Sequence, residues 1–151
     1  MVITEVRIKL MQGNLDRLQA FCSVTFDGAF VVHDVKIIQK EGGECFIAMP
    51  SRKLTDHCSK CGTKNHLRAC FCNSCGYLLP KARATSDGHV KLHADIAHPI
   101  NTEFRAHMEY AILEAFFAEK KRAQQDGYVC RYDDHDDIQP PHLQAMAKNY
   151  P

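Results

Sequence analysis

Thr4, Val6, Ile8 and Leu10 alternate with Glu5, Arg7 and Lys9, which is the period-two pattern of a strand with one buried face. After a turn at Gly13-Asn14 the alternation resumes. Leu18, Ala20, Cys22, Val24 and Phe26 interleave with Arg17, Gln19, Phe21, Ser23 and Thr25 in a second strand. Asp27-Gly28 is a hairpin signal leading into a more apolar third strand, Phe30 to Ile38, and Gly42-Gly43 precedes a short fourth, Cys45 to Met49, stopped by Pro50. The pattern predicts an antiparallel meander. Past a cysteine-rich middle, Asp87-Gly88 introduces a strand around His89 to Asp95. A helix then follows Pro99-Ile100-Asn101, with Asn101 as N-cap and Glu103 in the first turn. Phe104, Met108, Ala111, Ile112, Ala115 and Phe116 lie on one face. Lys120, Lys121 and Arg122 suit the helix dipole at its end, and Gly127 can stop it. One meander sheet and one amphipathic helix make an α+β fold.

The 151 residues, 45% of them hydrophobic, suffice for one ordinary core. The formal charge of +1 conceals an uneven distribution. Residues 51 to 93 carry eight cations against Asp56 and Asp87, a net of +6, whereas residues 128 to 151 carry Arg131 and Lys148 against four aspartates, a net of −2. A basic middle suits a polyanionic partner. The stretch from Tyr128 onward, with Asp133-Asp134-His135-Asp136-Asp137 and Pro140-Pro141, has no apolar period and reads as an acidic, flexible or loosely docked tail that could also screen the basic patch.

Two CxxC pairs, Cys58/Cys61 and Cys72/Cys75, are each followed by glycine (Gly62, Gly76) and separated by ten residues. Zinc prefers four soft or borderline ligands in a tetrahedron, and the glycine permits a left-handed turn that aims backbone N–H groups at the sulfurs. The spacing predicts one structural zinc ion in a ribbon. Cys70, His57 and His66 lie close enough in sequence to exchange into the site. Disulfides are the rival reading, but Met1 to Leu10 mixes charge with apolar residues and has no signal-like run, and nothing approaches eighteen uninterrupted apolar residues. A cytoplasmic chain without membrane contact is expected. Cys22 and Cys45 are expected as buried, inert thiols, and Cys130 lies in the polar tail.

Phe26-Asp27, Phe30-Val31-Val32-His33-Asp34-Val35, Ala48-Met49-Pro50-Ser51-Arg52-Lys53 and Asp95-Ile96-Ala97-His98-Pro99-Ile100-Asn101 closely resemble, in order, the SpoVG family of septation and sporulation regulators. The resemblance covers residues 1 to 53 and about 85 to 122. It implies a cytoplasmic homodimer with a meander sheet and a helix that binds DNA or RNA and has no enzymatic activity. Residues 54–84 interrupt the family pattern and hold all four paired cysteines. The expected organisation is therefore a discontinuous core (1–53 and 85–127), an inserted zinc ribbon (54–84) and an acidic tail (128–151).

An insertion of about thirty residues is too short for a core of its own, so zinc would supply its folding energy, with Leu67, Phe71, Tyr77 and Leu78 as a small apolar cluster. The candidate phosphate contacts are Arg52, Lys53, Lys60, Lys64, Arg68, Lys81, Arg83, Lys120, Lys121 and Arg122. Phe21, on the outward face of its strand, suits a dimer contact or base stacking. A ribbon that docks a protein partner is the alternative function. A zinc-dependent hydrolase or deaminase is remote, because His107-Met108-Glu109 follows the cysteines on a helix and four sulfurs leave zinc no open position. His33 and His98 read as structural histidines.

Overall fold

The computed structural model describes residues 1–13, 17–81 and 88–132. The expected meander forms from β1 (Ile3–Leu10), β2 (Leu18–Phe26), β3 (Phe30–Gln39) and β4 (Cys45–Ala48), antiparallel in the order β1-β2-β3-β4. Asp27 (φ 52°) and Gly28 (φ 64°) both adopt the left-handed region that a tight β2–β3 turn requires, and the Ala29 N–H donates to the Phe26 carbonyl at 2.9 Å. A β-bulge shifts the β2–β3 register between Cys22 and Val24, and on β3 it accommodates Asp34 at φ 61°.

Helix α1 (Thr102–Arg122) starts as predicted: Asn101 is extended and its Oδ1 accepts the Phe104 N–H at 2.9 Å. It ends at Arg122, with Ala123 as C-cap, short of Gly127. Met108, Ile112 and Phe116 are buried against the sheet, whose inner face contributes Ile8, Ala20, Cys22, Val24, Phe26, Val35, Ile37 and Ile47, all at most 5% exposed. Period two in the strands and 3.6 in the helix direct these residues to one shared core. Burial pushes the Cys22 thiol up to about 12, as an inert core thiol requires, whereas Cys45 is only half-buried because β4 is an edge strand.

Directly after α1, residues 128–132 dock on this core. The Tyr128 hydroxyl donates to Glu119 at 2.6 Å, the Cys130 thiol to the Ile8 carbonyl at 3.6 Å and Arg7 to the Arg131 carbonyl at 3.1 Å. The Tyr132 hydroxyl accepts the Asp34 N–H at 3.4 Å. The acidic run beyond lies outside the described residues.

The chain divides into two compact units, Met1–Ala48 together with the chain from Pro99 onward, and Met49–His98. In the second unit β5 (Ser51–Lys53) pairs antiparallel with β8 (His93–Asp95), and β6 (Thr55–His57) with β7 (Lys64–His66). β8 is shorter than the expected strand around His89 to Asp95, since its only described partner, β5, supplies three residues. The apolar cluster expected in the ribbon does not form a core. Phe71, Tyr77 and Leu78 are 61%, 44% and 65% exposed, although Phe71 and Leu78 pair across a bridge. Pro50, Cys58, Asn65 and Cys72 are the buried residues described in this unit. Its interior is thus built from sulfur and amide, with little hydrocarbon.

Candidate metal centre

Two loops with the same hydrogen-bond pattern carry the four cysteines. In the first, following β6, the Cys58 N–H donates to the Thr63 carbonyl (2.9 Å), the Gly62 N–H to the Cys58 carbonyl (2.8 Å) and the Lys60 N–H to the Cys58 sulfur (3.4 Å). In the second, the Cys72 N–H donates to Tyr77 (2.8 Å), the Gly76 N–H to Cys72 (3.0 Å) and the Ser74 N–H to the Cys72 sulfur (3.4 Å). Gly62 (φ 76°) and Gly76 (φ 69°) occupy the left-handed region that closes each loop, and a side chain there would be strained. One local sequence rule, CxxCG, has produced one geometry twice.

The loops face each other. Cys58 and Cys75 sulfurs are 3.7 Å apart, those of Cys61 and Cys72 are 3.5 Å apart, and all four lie within 4.8 Å of one another. They are close enough to hold one metal ion. Cys58 and Cys72 are buried and Cys61 and Cys75 exposed. Asn65, on β7, was not singled out by its sequence pattern, yet it joins the loops: its Nδ2 donates to the Thr63 carbonyl (2.9 Å) and the Cys72 sulfur (3.5 Å), and its Oδ1 accepts the Asn73 N–H (2.8 Å). A lone asparagine in a polar stretch gives no signal in sequence; only the fold brings both loops to it.

These donors sort the thiols. The Cys75 N–H, followed by the Ser74 N–H and the Asn65 amide, draws the Cys72 thiol down to about 6 against the desolvation that raises it. The Thr63 hydroxyl and N–H lower Cys61. Cys75 moves up to about 11: the Tyr77 N–H lowers it, but partial desolvation of its sulfur and the neighbouring sulfurs of Cys61, Cys58 and Cys72 outweigh that bond. Negative charge therefore collects readily on part of the cluster and resists spreading to all of it, a conflict that a bound cation resolves.

Of the possible substitute ligands, Cys70, His57 and His66 lie outside the group of converging donors among the described residues. The His66 Nδ1 accepts the Arg68 N–H at 3.1 Å within its own turn. Glu109, the acid of the His107-Met108-Glu109 sequence, lies on α1 and accepts the Ile47 N–H at 3.3 Å.

The candidate cations fall on both units. Arg52 and Lys53 are exposed on β5, Lys64 on β7, and Lys60, Arg68 and Lys81 on loops; Arg83 lies outside the described residues. At the end of α1, Lys120 and Lys121 are exposed, with the Lys120 ammonium 5.3 Å from the Phe116 ring centre. Arg122 is differently placed. It pairs with Glu119 at 2.6 Å and stacks on Tyr128, 5.1 Å from the ring centre. Among the described residues, no helix is long and apolar enough to cross a membrane.

The SpoVG family model matches residues 1–118. Among curated proteins, the chain is 40% identical over 116 residues to the septation protein SpoVG of Clostridium beijerinckii, covering 77% of this chain and 88% of that one. It is 38% identical over 118 residues to that of Caldicellulosiruptor saccharolyticus (78% and 93%) and 38% identical over 116 residues to that of Clostridium perfringens (77% and 89%). With the predicted meander and helix in place and this match running through both, the chain belongs to the SpoVG family.

Proposed function

We propose that this protein is a regulatory nucleic-acid-binding member of the SpoVG family, in which Cys58, Cys61, Cys72 and Cys75 hold one structural zinc ion that organises an inserted basic ribbon. The observation that carries this reading is the pair of matched cysteine loops. A zinc–sulfur bond of about 2.3 Å in a tetrahedron separates neighbouring sulfurs by about 3.8 Å, and the separations of 3.5 and 3.7 Å lie close to that value. When bound, zinc would supply folding energy to a segment whose described buried side chains are Cys58, Asn65 and Cys72, two of them ligands. Four protein ligands leave the ion no open position, so its role is structural and no catalytic step is assigned.

Residues 51 to 93 retain a charge of about +4 with four thiolates and a divalent ion counted, from +6 without them. Arg52, Lys53, Lys60, Lys64, Arg68 and Lys81 would neutralise phosphates there, and Lys120 and Lys121 would do so at the end of α1. Metal content measured on gently purified protein, combined with mobility-shift titrations in increasing salt before and after chelation, tests the proposal. One zinc per chain and a linear log–log loss of affinity with salt are expected. No binding of DNA or RNA at low salt would overturn the nucleic-acid reading. The exposure of Phe71, Tyr77 and Leu78 would then favour the second reading, an adaptor whose ribbon docks a protein.

A further inference from the structure

An open groove of about 850 Å³ lies within the Met49–His98 unit. Three stretches of chain give it an aliphatic floor: Leu67 after β7, Leu78, Leu79 and Pro80 after the second cysteine loop, and Val90 and Leu92 before β8. Leu67, Leu79 and Leu92 are half-buried, whereas Leu78 and Val90 are 65% and 37% exposed. The Leu79 N–H donates to the Cys70 carbonyl at 2.8 Å and Leu78 pairs with Phe71 across a bridge, so the backbone holds this wall in place. A fixed aliphatic surface left open to water is one that a partner covers.

The rim is cationic. Arg68 and Lys81 line the groove beside His89, and none of the described lining residues is acidic. Neither Arg68 nor Lys81 has a carboxylate partner among the described residues. Arg122, by contrast, is already engaged by Glu119 at 2.6 Å. Uncommitted positive charge beside an aliphatic floor selects a ligand that is both acidic and aliphatic. The described lining holds no phenylalanine or tyrosine on which a base would stack. Leucine, valine and proline match the side chains of a peptide instead.

We infer that this groove binds an acidic amphipathic peptide of a partner protein, with its aliphatic side chains seated on Leu78, Val90 and their neighbours and its carboxylates facing Arg68 and Lys81. Such docking rests on the second reading of the ribbon, as a protein adaptor, and does not require the nucleic-acid binding of the first. Because Arg68 and Lys81 are also proposed phosphate contacts, a docked peptide competes with nucleic acid for those two cations.

Fluorescence anisotropy tests this, with the full chain titrated into a labelled helical peptide that carries leucine at i, i+3, i+4 and i+7 and glutamate elsewhere. Saturable binding that weakens with added salt is expected. Leu78→Ser and Val90→Ser should each weaken it about tenfold, the effect of losing an apolar anchor. Arg68→Glu and Lys81→Glu should weaken it most at low salt. Both leucine and valine variants should keep the metal content and circular dichroism of the parent, and Val90 lies outside the cysteine loops, so its result stands even if Leu78→Ser disturbs them. No binding of the acidic peptide, or binding that both apolar substitutions leave unchanged, overturns the groove. Equal binding of a peptide with lysine in place of glutamate overturns the charge match. A short RNA whose affinity falls as much as the peptide's with Leu78→Ser and Val90→Ser would give the groove to nucleic acid instead. Peptide binding by a chain that binds neither DNA nor RNA would overturn the nucleic-acid reading and leave this surface standing.

Discussion

Asn65 and Cys72 are joined by an amide-to-sulfur contact of 3.5 Å, and the same asparagine accepts the Asn73 N–H on the other side of that cysteine. One buried side chain thereby fixes the second cysteine loop relative to the strand that follows the first. Asn65→Ala should leave all four ligands in place yet weaken metal retention by about 10- to 100-fold, the usual effect of removing a supporting contact around a metal. Competition with a chromogenic chelator measures it, and unchanged retention would remove Asn65 from the site.

Removing the metal should affect the two units unequally. Among its described residues the Met49–His98 unit has little buried hydrocarbon, whereas the sheet and helix share a continuous apolar core. In hydrogen exchange after chelation, amides of residues 58–79 should lose protection while those of β2 and α1 keep theirs. Equal loss in both would show that the metal supports the whole chain.

The converse experiment acts on the helix. Ile112 has no exposed surface, and Ile112→Ala should destabilise the core by about 2–5 kcal/mol through lost burial and a residual cavity. Thermal unfolding should report that loss, while metal content at room temperature stays at the unaltered value.

Acid should release the metal in a defined direction. The Cys72 thiol is depressed to about 6 from an ordinary 9.0, so its thiolate contributes fully above pH 9 and that contribution is lost as pH falls through 6. Cys75, raised to about 11, loses its own contribution as pH rises through that value in the metal-free chain. Metal retention followed by titration should therefore hold at neutral pH and decline as pH falls toward and below 6. Retention that strengthened in acid would contradict the thiolate assignment.

Among the cations closing α1, phosphate contacts should divide by their existing partners. Arg122 is engaged by Glu119 and Tyr128, which leaves its guanidinium little attraction for a phosphate. Lys120→Ala and Lys121→Ala should each lower the salt slope of nucleic-acid binding by about 1, and Arg122→Ala should leave that slope unchanged while reducing stability.

Alternating residues from Thr4 to Ile38, the Asp27-Gly28 turn, the Asn101 cap and the two CxxCG loops were legible in the sequence because each depends on neighbours a few positions away. Period two, period 3.6 and a glycine after a cysteine are local constraints, and they recur unchanged in the folded chain. The tertiary structure decided what depends on distant partners. It placed Asn65 between the cysteine loops, left Phe71, Tyr77 and Leu78 exposed, and docked Tyr128 and Tyr132 on the core. It also covered one face of α1 with the sheet and left another open, which separates Phe116 in the core from Phe117 at the surface. Sequence spacing fixes where a side chain points along its own element, while burial is fixed only when another element arrives to cover it.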